Sequence, residues 1–568
     1  MTANPTDTIA LGIYWDRLIS IADEMMQALI RTAFSSTVRE THDCSTTLFD
    51  ARGRAIAQAT SAIPSFTGTA PMTLAHMLAR YPASTLRPGD VLLTNDPWMG
   101  TGHMFDVSVM RPIFKGGCLV GYCMSVSHLP DVGGAGWSPE TIEMYQEGLR
   151  LPVSRFLEAG VRNEWLVDLI TGNVRVAEQV LGDLMANVSC TAVAERLFVE
   201  FLEEYGIEDL TPVADAILES SEASMRASIA RMPNGTWRNA ITIEGKSGPI
   251  RLACAVTIDG HGITVDYEGC DPVGPWGMNV PMCYTRAMTG YAIKCLTLPS
   301  VPSNDGVMAV IDVRAPVDSI VNAQPPAATA VRHSVGHALY PLLMGAMAEP
   351  LPDRVHAQSG GGNMLNVRGQ YNGRKHAQVF FCSGGYGALS GFDGHNTTPA
   401  PSNPRGMPVE VWEAQTGMFI ESKALLPDSG GAGASRGGLG QRLRMRNDSG
   451  AAVSISCFSG RTDFGAEGFA GGAPGKLRRY WINGQPVASK KAYQLQPGDV
   501  LMTDEAGGGG FGVPAERAEA LILADLRAGY VTPDGLARDW GLAPGRIAAL
   551  VEQAGLTAGL DRHSITNF

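Results

Sequence analysis

Residues 100–108 read GTGHMFDVS, and residues 127–134 read SHLPDVGG. Each stretch holds a His-x-x-Asp pair, His103 with Asp106 and His128 with Asp131. Imidazole nitrogens and carboxylate oxygens are the donors that hold Zn²⁺, Fe²⁺ or Mn²⁺, with a coordination position left open for water. The run between them, VSVMRPIFKGGCLVGYCMSVS, reads as two apolar strands around a Lys115-Gly116-Gly117 turn. With Gly117 as centre, Asp106 faces His128 and His103 faces Asp131. Opposed side chains in an antiparallel pair lie about 5 Å apart at Cβ, so both pairs can converge on one ion. Residues three apart on a regular strand point to opposite faces. The strand must therefore break near residues 103–105, and Gly100, Gly102, Gly133 and Gly134 supply that freedom. The competing reading is a pair of solvent-facing His–Asp hydrogen bonds at a sheet edge.

The elements that must position these residues follow from periodicity. Residues 16–34 place Leu18, Ile21, Met25 and Leu29 on one face of an amphipathic helix. Residues 45–60 and 88–130 read as short strands with turns, and residues 139–232 as mainly helical. From about residue 235 the period becomes two, as in TWRNAITI and IRLACAVTI, which predicts an antiparallel sheet. A buried helix is expected over 329–347. From 358 onward glycine runs separate strands, and the chain closes with helices that start at proline and stop at glycine. The expectation is an α+β chain in four regions: an N-terminal metal-binding region (1–138), a helical region (139–234), an antiparallel β region (235–330) and a Gly-rich region ending in helices (331–568).

With 568 residues, the chain is too long for one core. A net charge of −12 argues against nucleic acid or an anionic membrane as partner, since both attract clustered Lys and Arg. The sequence has no run of apolar residues long enough to span a bilayer, and its N-terminus lacks the basic start of a signal peptide. The 10 cysteines form no C-x-x-C motif, so buried free thiols in a reducing cytoplasm are expected. The 67 glycines lie in local runs within a core-rich sequence, which points to tight turns rather than disorder.

Other motifs are weaker. GGGGFG (507–512) fits a dinucleotide fingerprint but has no returning strand, so a tight turn is the better reading. IEGKSG and GGAPGK miss residues that a phosphate-binding loop requires, leaving no evident ATP site. Asp428 and Arg436 in DSGGAGASRGGLG fit either an anion-holding loop or a turn with an Arg–Asp contact. Asp393 and His395 read as a hydrogen-bonded turn. His333 and His337, in the apolar VRHSVGHALYPLL, read as core histidines. Arg39 and Glu40 stand at the start of the block that leads to Asp43, where they are candidates to position a metal loop or a substrate carbonyl.

Taken in order, RTAFSSTVRETHDCSTTLFDARGRAIAQ (31–58), GDVLLTNDPWMGTGHMFDVSV (89–109), SHLPDVGG, YQEGLRLP (145–152), GNVRVAEQVLGDLMAN (172–187), DSGGAGASRGGLG and GGGGFG make this sequence resemble the hydantoinase B family. That family includes the C-terminal half of 5-oxoprolinase, the caprolactamase β subunit and the acetone carboxylase α subunit. The resemblance implies a separate hydantoinase A-type partner of actin-like fold that binds ATP and phosphorylates the substrate. It implies a hetero-tetramer with two copies of each subunit. It also implies one divalent metal ion (Zn, Mn or Fe) held by Asp43, His103, Asp106 and His128. Asp131 then becomes a neighbouring residue that orients a ligand or takes a proton. His42 and Cys44 stand where relatives carry other residues, which affects substrate contacts more than the ligand. The function expected is that of the metal-dependent subunit of a cytoplasmic, ATP-dependent cyclic amide hydrolase, with a catalytic trio of Asp131, Arg39 and Glu40. The alternatives are a ketone carboxylase subunit and a non-catalytic scaffold with a structural metal.

Overall fold

A computed structural model describes residues 8–556. Two compact units emerge: the first runs to Ile241 and resumes over Arg251–Ala346, and the second takes Thr242–Ile250 and the chain from Met347 onward.

The first unit opens with α1 (Thr8–Thr32), whose Leu18, Ile21, Met25 and Leu29 are all buried as their spacing predicts. The short α2 (Ser36–Arg39), capped by the Ser35 hydroxyl, leads into β1 (Cys44–Asp50) and β2 (Ala55–Gln58). Next comes α3 (Pro64–Arg80), which carries Pro71 in its interior, then β3 (Val91–Thr94), β4 (Asp106–Lys115) and β5 (Cys118–His128). Strands β6 (Ser154–Glu158) and β7 (Val161–Arg162) complete a seven-stranded sheet in the order β2-β1-β5-β4-β3-β6-β7, antiparallel throughout.

Helices α4 (Glu164–Asn173), α5 (Ala177–Glu204) and α6 (Thr211–Ile229) follow. The α1, α5 and α6 side chains pack with Cys44, Leu48 and Cys123 into one core. On the opposite face, α3 supplies Phe66, Ala70, Leu74 and Met77 to a second core with Tyr122, Met124 and Val126. Central strands β1, β4 and β5 are thus covered on both sides, and their residues are buried with little alternation.

The β4–β5 turn is Gly116-Gly117, with φ of 59° and 84°. Two successive left-handed residues are what a two-residue hairpin turn demands. From Asp106↔His128 to Ile113↔Gly121 the register is the one anticipated, and a bulge after Ile113 shifts it by one before the turn.

A second sheet in the order β11-β10-β9-β8 uses β8 (Gly235–Glu244), β9 (Pro249–Ile258), β10 (Ile263–Asp266) and β11 (Ile311–Arg314). Its β10 and β11 run parallel, whereas β9 and β10 are antiparallel. Between β10 and β11 lie α7 (Met282–Thr297) and α8 (Asp305–Met308). After β11 the chain makes α9 (His333–Gly336) and α10 (Leu339–Ala346), so the helix expected over 329–347 is interrupted and begins later. Residues 139–163, read from sequence as part of a helical stretch, form loops and the β6–β7 hairpin instead.

The second unit contains β12 (Gly362–Tyr371), β13 (Arg374–Ser383), α11 (Val409–Thr416), β14 (Met418–Leu425), β15 (Gln441–Asn447) and β16 (Val453–Cys457). It continues with β17 (Arg479–Ile482), β18 (Gln485–Val487), β19 (Lys491–Leu495) and β20 (Val500–Asp504). These strands make one sheet ordered β13-β12-β16-β19 and another ordered β14-β15-β20-β17-β18, with a shared core that includes Phe380, Trp412 and Met445. Three helices follow, α12 (Glu519–Arg527), α13 (Pro533–Asp539) and α14 (Pro544–Gln553).

The glycine runs of this unit are not isolated turns. They lie side by side and bond through their backbones. Gly507 N–H donates to Lys476, Gly508 to Gly438, Gly509 to Gln358 and Gly510 to Ala473. Four consecutive amides that reach three segments, the fourth returning to the stretch that the first meets, are the pattern of an extended chain with about three residues per turn, surrounded by others. A Cβ at Gly507 would lie 1.7 Å from the Ser429 carbonyl oxygen, and one at Gly385 would lie 1.8 Å from that of Gly438.

Candidate metal centre

The chemistry-bearing residues gather in the first unit, at the end of the β4–β5 hairpin away from its turn. Asp106 and His128 form the last pair of the ladder. Beyond it the chain leaves the strand, with one further bond from Leu129 N–H to the Phe105 carbonyl. His103 therefore does not continue the ladder opposite Asp131. It turns back so that its Nε2 lies 2.8 Å from Asp106 Oδ2. The break depends on Gly102, whose φ of +91° is left-handed and whose absent Cβ would lie 2.6 Å from Arg332 Cδ.

His103, Asp106 and His128 are all buried, and one donor atom from each lies within 4.8 Å of the others. Asp106 is the hub. Its Oδ1 meets His128 Nδ1 at 3.0 Å, and its Oδ2 accepts from Thr101 Oγ1 at 2.5 Å and from Arg332 Nη2 at 2.7 Å. Burial alone would raise the Asp106 carboxyl, but the neighbouring His103 and Arg332 and the hydrogen bond with His128 hold it well below the usual carboxylate range. His103 is pushed down to about 4, first by burial and then by Arg332, so its ring is neutral at pH 7.

These residues fit a divalent cation. His103 Nδ1 lies 3.0 Å from the Ala330 carbonyl oxygen, which can only accept, so Nδ1 carries the proton. The lone pair is then on Nε2, which is buried and makes no hydrogen bond despite its closeness to Asp106. A neutral imidazole fixed through its other nitrogen, beside an ionised carboxylate, is how proteins prepare metal ligands.

Asp43 joins from the start of β1. His128 N–H donates to the Asp43 carbonyl oxygen at 3.2 Å. Its half-buried carboxyl is pushed up to about 6, mainly by desolvation, with Asp106 raising it further and His128 and Arg332 opposing. Asp43 thus lies within the electrostatic reach of the cluster but outside the tight group of three.

The other expected site residues are not part of this tight group of donors. Asp131 is buried, and both of its oxygens are engaged by Arg175, Oδ2 by the backbone N–H at 2.5 Å and Oδ1 by Nη1 at 2.7 Å. Arg39 and Glu40 form a loose pair at 3.9 Å at the end of α2, with Arg39 half exposed. His333 is buried with its ring 5.1 Å from that of Trp137, and His337 is only partly buried. In the second unit, Asp393 pairs with Arg517 at 2.7 Å and Arg436 approaches Asp525 at 3.3 Å, while Asp428 accepts from the backbone and hydroxyl of Thr532. Arg436 thus pairs with Asp525 rather than with Asp428, and Asp393 with Arg517 rather than with His395.

Several residues at the centre were not singled out from sequence. Trp137 has its ring 4.8 Å from His128, and Phe105 lies nearly parallel to His128 at 5.3 Å. Together they give the histidines an aromatic wall. Arg332 is 4% exposed, and besides Asp106 it binds the Thr101 carbonyl at 2.5 Å and lies 4.1 Å over the Tyr284 ring. Glu147 is 1% exposed and accepts the backbone N–H groups of Thr329 and Ala330. A signal for both existed: Arg332 in an otherwise apolar run and Glu147 between short loops each need a buried partner.

The model for "Hydantoinase B/oxoprolinase" matches residues 7–514. The chain belongs to this family. It is 28% identical to the caprolactamase beta subunit of Pseudomonas jessenii, over 95% of this chain and 96% of that one. It is 25% identical to the B-type subunit of a putative D-/L-hydantoinase of Pseudomonas sp. (strain NS671), over 94% and 95% of the two. The crystal structure of the ATP-dependent caprolactamase from Pseudomonas jessenii superposes with a TM-score of 0.89 at 25% identity, covering 97% of this chain and all of that one. Among the described residues of this hydantoinase B family member, no helix is long and apolar enough to cross a membrane.

Proposed function

We propose that this chain is the metal-dependent subunit of an ATP-dependent cyclic amide hydrolase, completing hydrolysis of a substrate that a separate ATP-binding subunit has phosphorylated. The observation that carries the reading is the buried His103–Asp106–His128 group, with a neutral His103 whose Nε2 is left without a hydrogen bond. Likeness to caprolactamase and hydantoinase subunits along nearly the whole chain supports the substrate class and the division between two subunits.

In this reading His103, Asp106 and His128 hold one divalent ion, and Asp43 completes the donor set. A bound ion of this kind supplies Lewis acidity and makes water a competent nucleophile near neutral pH. The chain's own residues do the rest. Arg332 and Thr101 hold Asp106 in place through two hydrogen bonds to one oxygen. Ala330 fixes the ring of His103. Trp137 and Phe105 exclude water from one side of His128 and offer flat apolar surface beside the site. Asp131, locked by Arg175, stiffens the turn that follows β5, and the exposed Arg39–Glu40 pair lies near enough in sequence to Asp43 to steady its loop.

The reading is tested by reconstituting the chain with its hydantoinase A-type partner and assaying ring opening of hydantoin, 5-oxoproline and caprolactam. Turnover should require both subunits, ATP and a divalent metal, and it should vanish on chelation while the fold persists. Ring opening without ATP or without the partner would reject the division of labour. ATP turnover that depends on bicarbonate would point to a carboxylase instead.

A further inference from the structure

Three stretches distant in sequence converge behind His103: residues 138–147, 276–279 and 326–332. Met144 N–H donates to the Pro326 carbonyl at 2.9 Å, and Val331 N–H donates to the Gly277 carbonyl at 2.7 Å. A Cβ at Gly277 would lie 2.8 Å from Thr141 Oγ1 and 3.5 Å from Ala330 Cβ, so the packing there has no slack. At the centre stands the one carboxylate of Glu147. Its Oε1 accepts from Thr329 N–H at 2.6 Å, from Ala330 N–H at 2.7 Å and from Thr141 Oγ1 at 3.1 Å. Its Oε2 accepts from Thr329 Oγ1 at 3.3 Å.

The segment that Glu147 grips serves the metal centre twice. Ala330 turns its carbonyl to His103 Nδ1 at 3.0 Å. Two residues on, Arg332 sends its guanidinium to Asp106 at 2.7 Å and to Thr101. Arg332 N–H in turn bonds the Thr329 carbonyl at 2.9 Å, closing the segment into a turn. One side chain with no contact to any donor atom thereby sets the ring of one ligand and the counter-ion of another.

We propose that Glu147 is the positioning residue of the metal centre, acting through the Thr329–Arg332 turn. This rests on the reading of His103, Asp106 and His128 as metal ligands. What the turn requires is an acceptor oxygen at the Oε1 position, because two adjacent amides converge on that single atom. Charge is secondary to placement. Outer partners that orient a ligand typically change metal affinity by about 10–100-fold when removed.

The test uses the full chain loaded with Co²⁺ alone, with affinity read by competition against a chromophoric chelator and ligand geometry read from the visible absorption spectrum. Glu147→Ala should weaken Co²⁺ binding by about 10–100-fold and alter the spectrum. Glu147→Gln, which keeps the acceptor oxygen, should restore both. Glu147→Asp, which keeps the charge but withdraws the oxygen by one methylene, should behave like the alanine variant and serves in its place if alanine fails to fold. Asp and Gln variants that both match the wild type overturn the proposal, and so does a Gln variant as weak as Ala or Asp, since charge would then matter rather than placement. A wild-type chain that takes up no Co²⁺ sinks the metal reading as well; a wild type that binds while no Glu147 variant differs from it sinks the positioning role alone.

Discussion

In the first unit, β4 and β5 bring His103, Asp106 and His128 together through side chains, and the backbone serves as a frame. In the second, Gly507–Gly510 and their neighbours bring backbone to backbone, and side chains are what the design excludes. Both regions are buried and densely hydrogen-bonded. They differ in what a substitution does. A changed side chain in the hairpin alters chemistry on a surviving frame, whereas an added side chain in the glycine bundle has nowhere to go. Glycine therefore carries two meanings in this chain. At Gly116 and Gly117 it supplies a left-handed turn with open space around it, and at Gly385 or Gly507 it supplies close approach.

The largest expected effect tests that contrast. Gly507→Ala would force a Cβ to 1.7 Å from a carbonyl oxygen. It is expected to cost more than about 4 kcal/mol, enough to abolish soluble expression or a cooperative melt. A variant that melts like the wild type would end the close-approach account. Next in size is Arg332→Met, which leaves Asp106 buried without its cation. Denaturant titration of metal-free protein should show a loss of about 3–5 kcal/mol. The loss should shrink when Zn²⁺ is present, because the ion takes over neutralisation of the carboxylate. Equal losses with and without metal would place the ion elsewhere.

A third prediction concerns acid. His356 and His376 in the second unit are buried, and burial pushes each down to about 4. A histidine depressed from 6.5 contributes stability that is fully present above pH 6.5 and drains away as pH falls towards 4. The contribution of each is on the order of 3 kcal/mol. In His376→Gln the fall in melting temperature between pH 7 and pH 4.5 should be smaller than in the wild type, and an unchanged fall would refute this. The smallest effect belongs to Gly116→Ala. Nothing lies within 4 Å of the missing Cβ, and only the φ of +59° opposes it. About 1 kcal/mol is expected, with metal binding intact.

How much of this was legible beforehand follows the same contrast. Two glycines and an apolar pattern fixed the hairpin register from Asp106 to Ile113, because period two allows no slip without turning every side chain to the other face. The strand break before Asp106 followed from the three-residue spacing of His103. Asp131 was misplaced in the ladder because pairing ends at His128, and its true partner Arg175 is 44 residues away in sequence. Helix α3 is poorly legible in sequence: Pro64 sits harmlessly in its opening turn, but Pro71 lies inside it, where tertiary packing overrides the local preference. Glycine runs read as turns because local propensity says what a glycine permits, not which segment it meets. Glu147 and Arg332 needed the loops to be folded before their partners could be known.

The central claim is that the hairpin holds a divalent cation. Its most direct test is metal analysis of the full chain, expressed with ample zinc and manganese, beside a His103→Ala, His128→Ala double variant whose fold is checked by its melt. The account predicts close to one ion per wild-type chain and essentially none in the folded double variant. Equal metal content in the two, or none in the wild type, would contradict it.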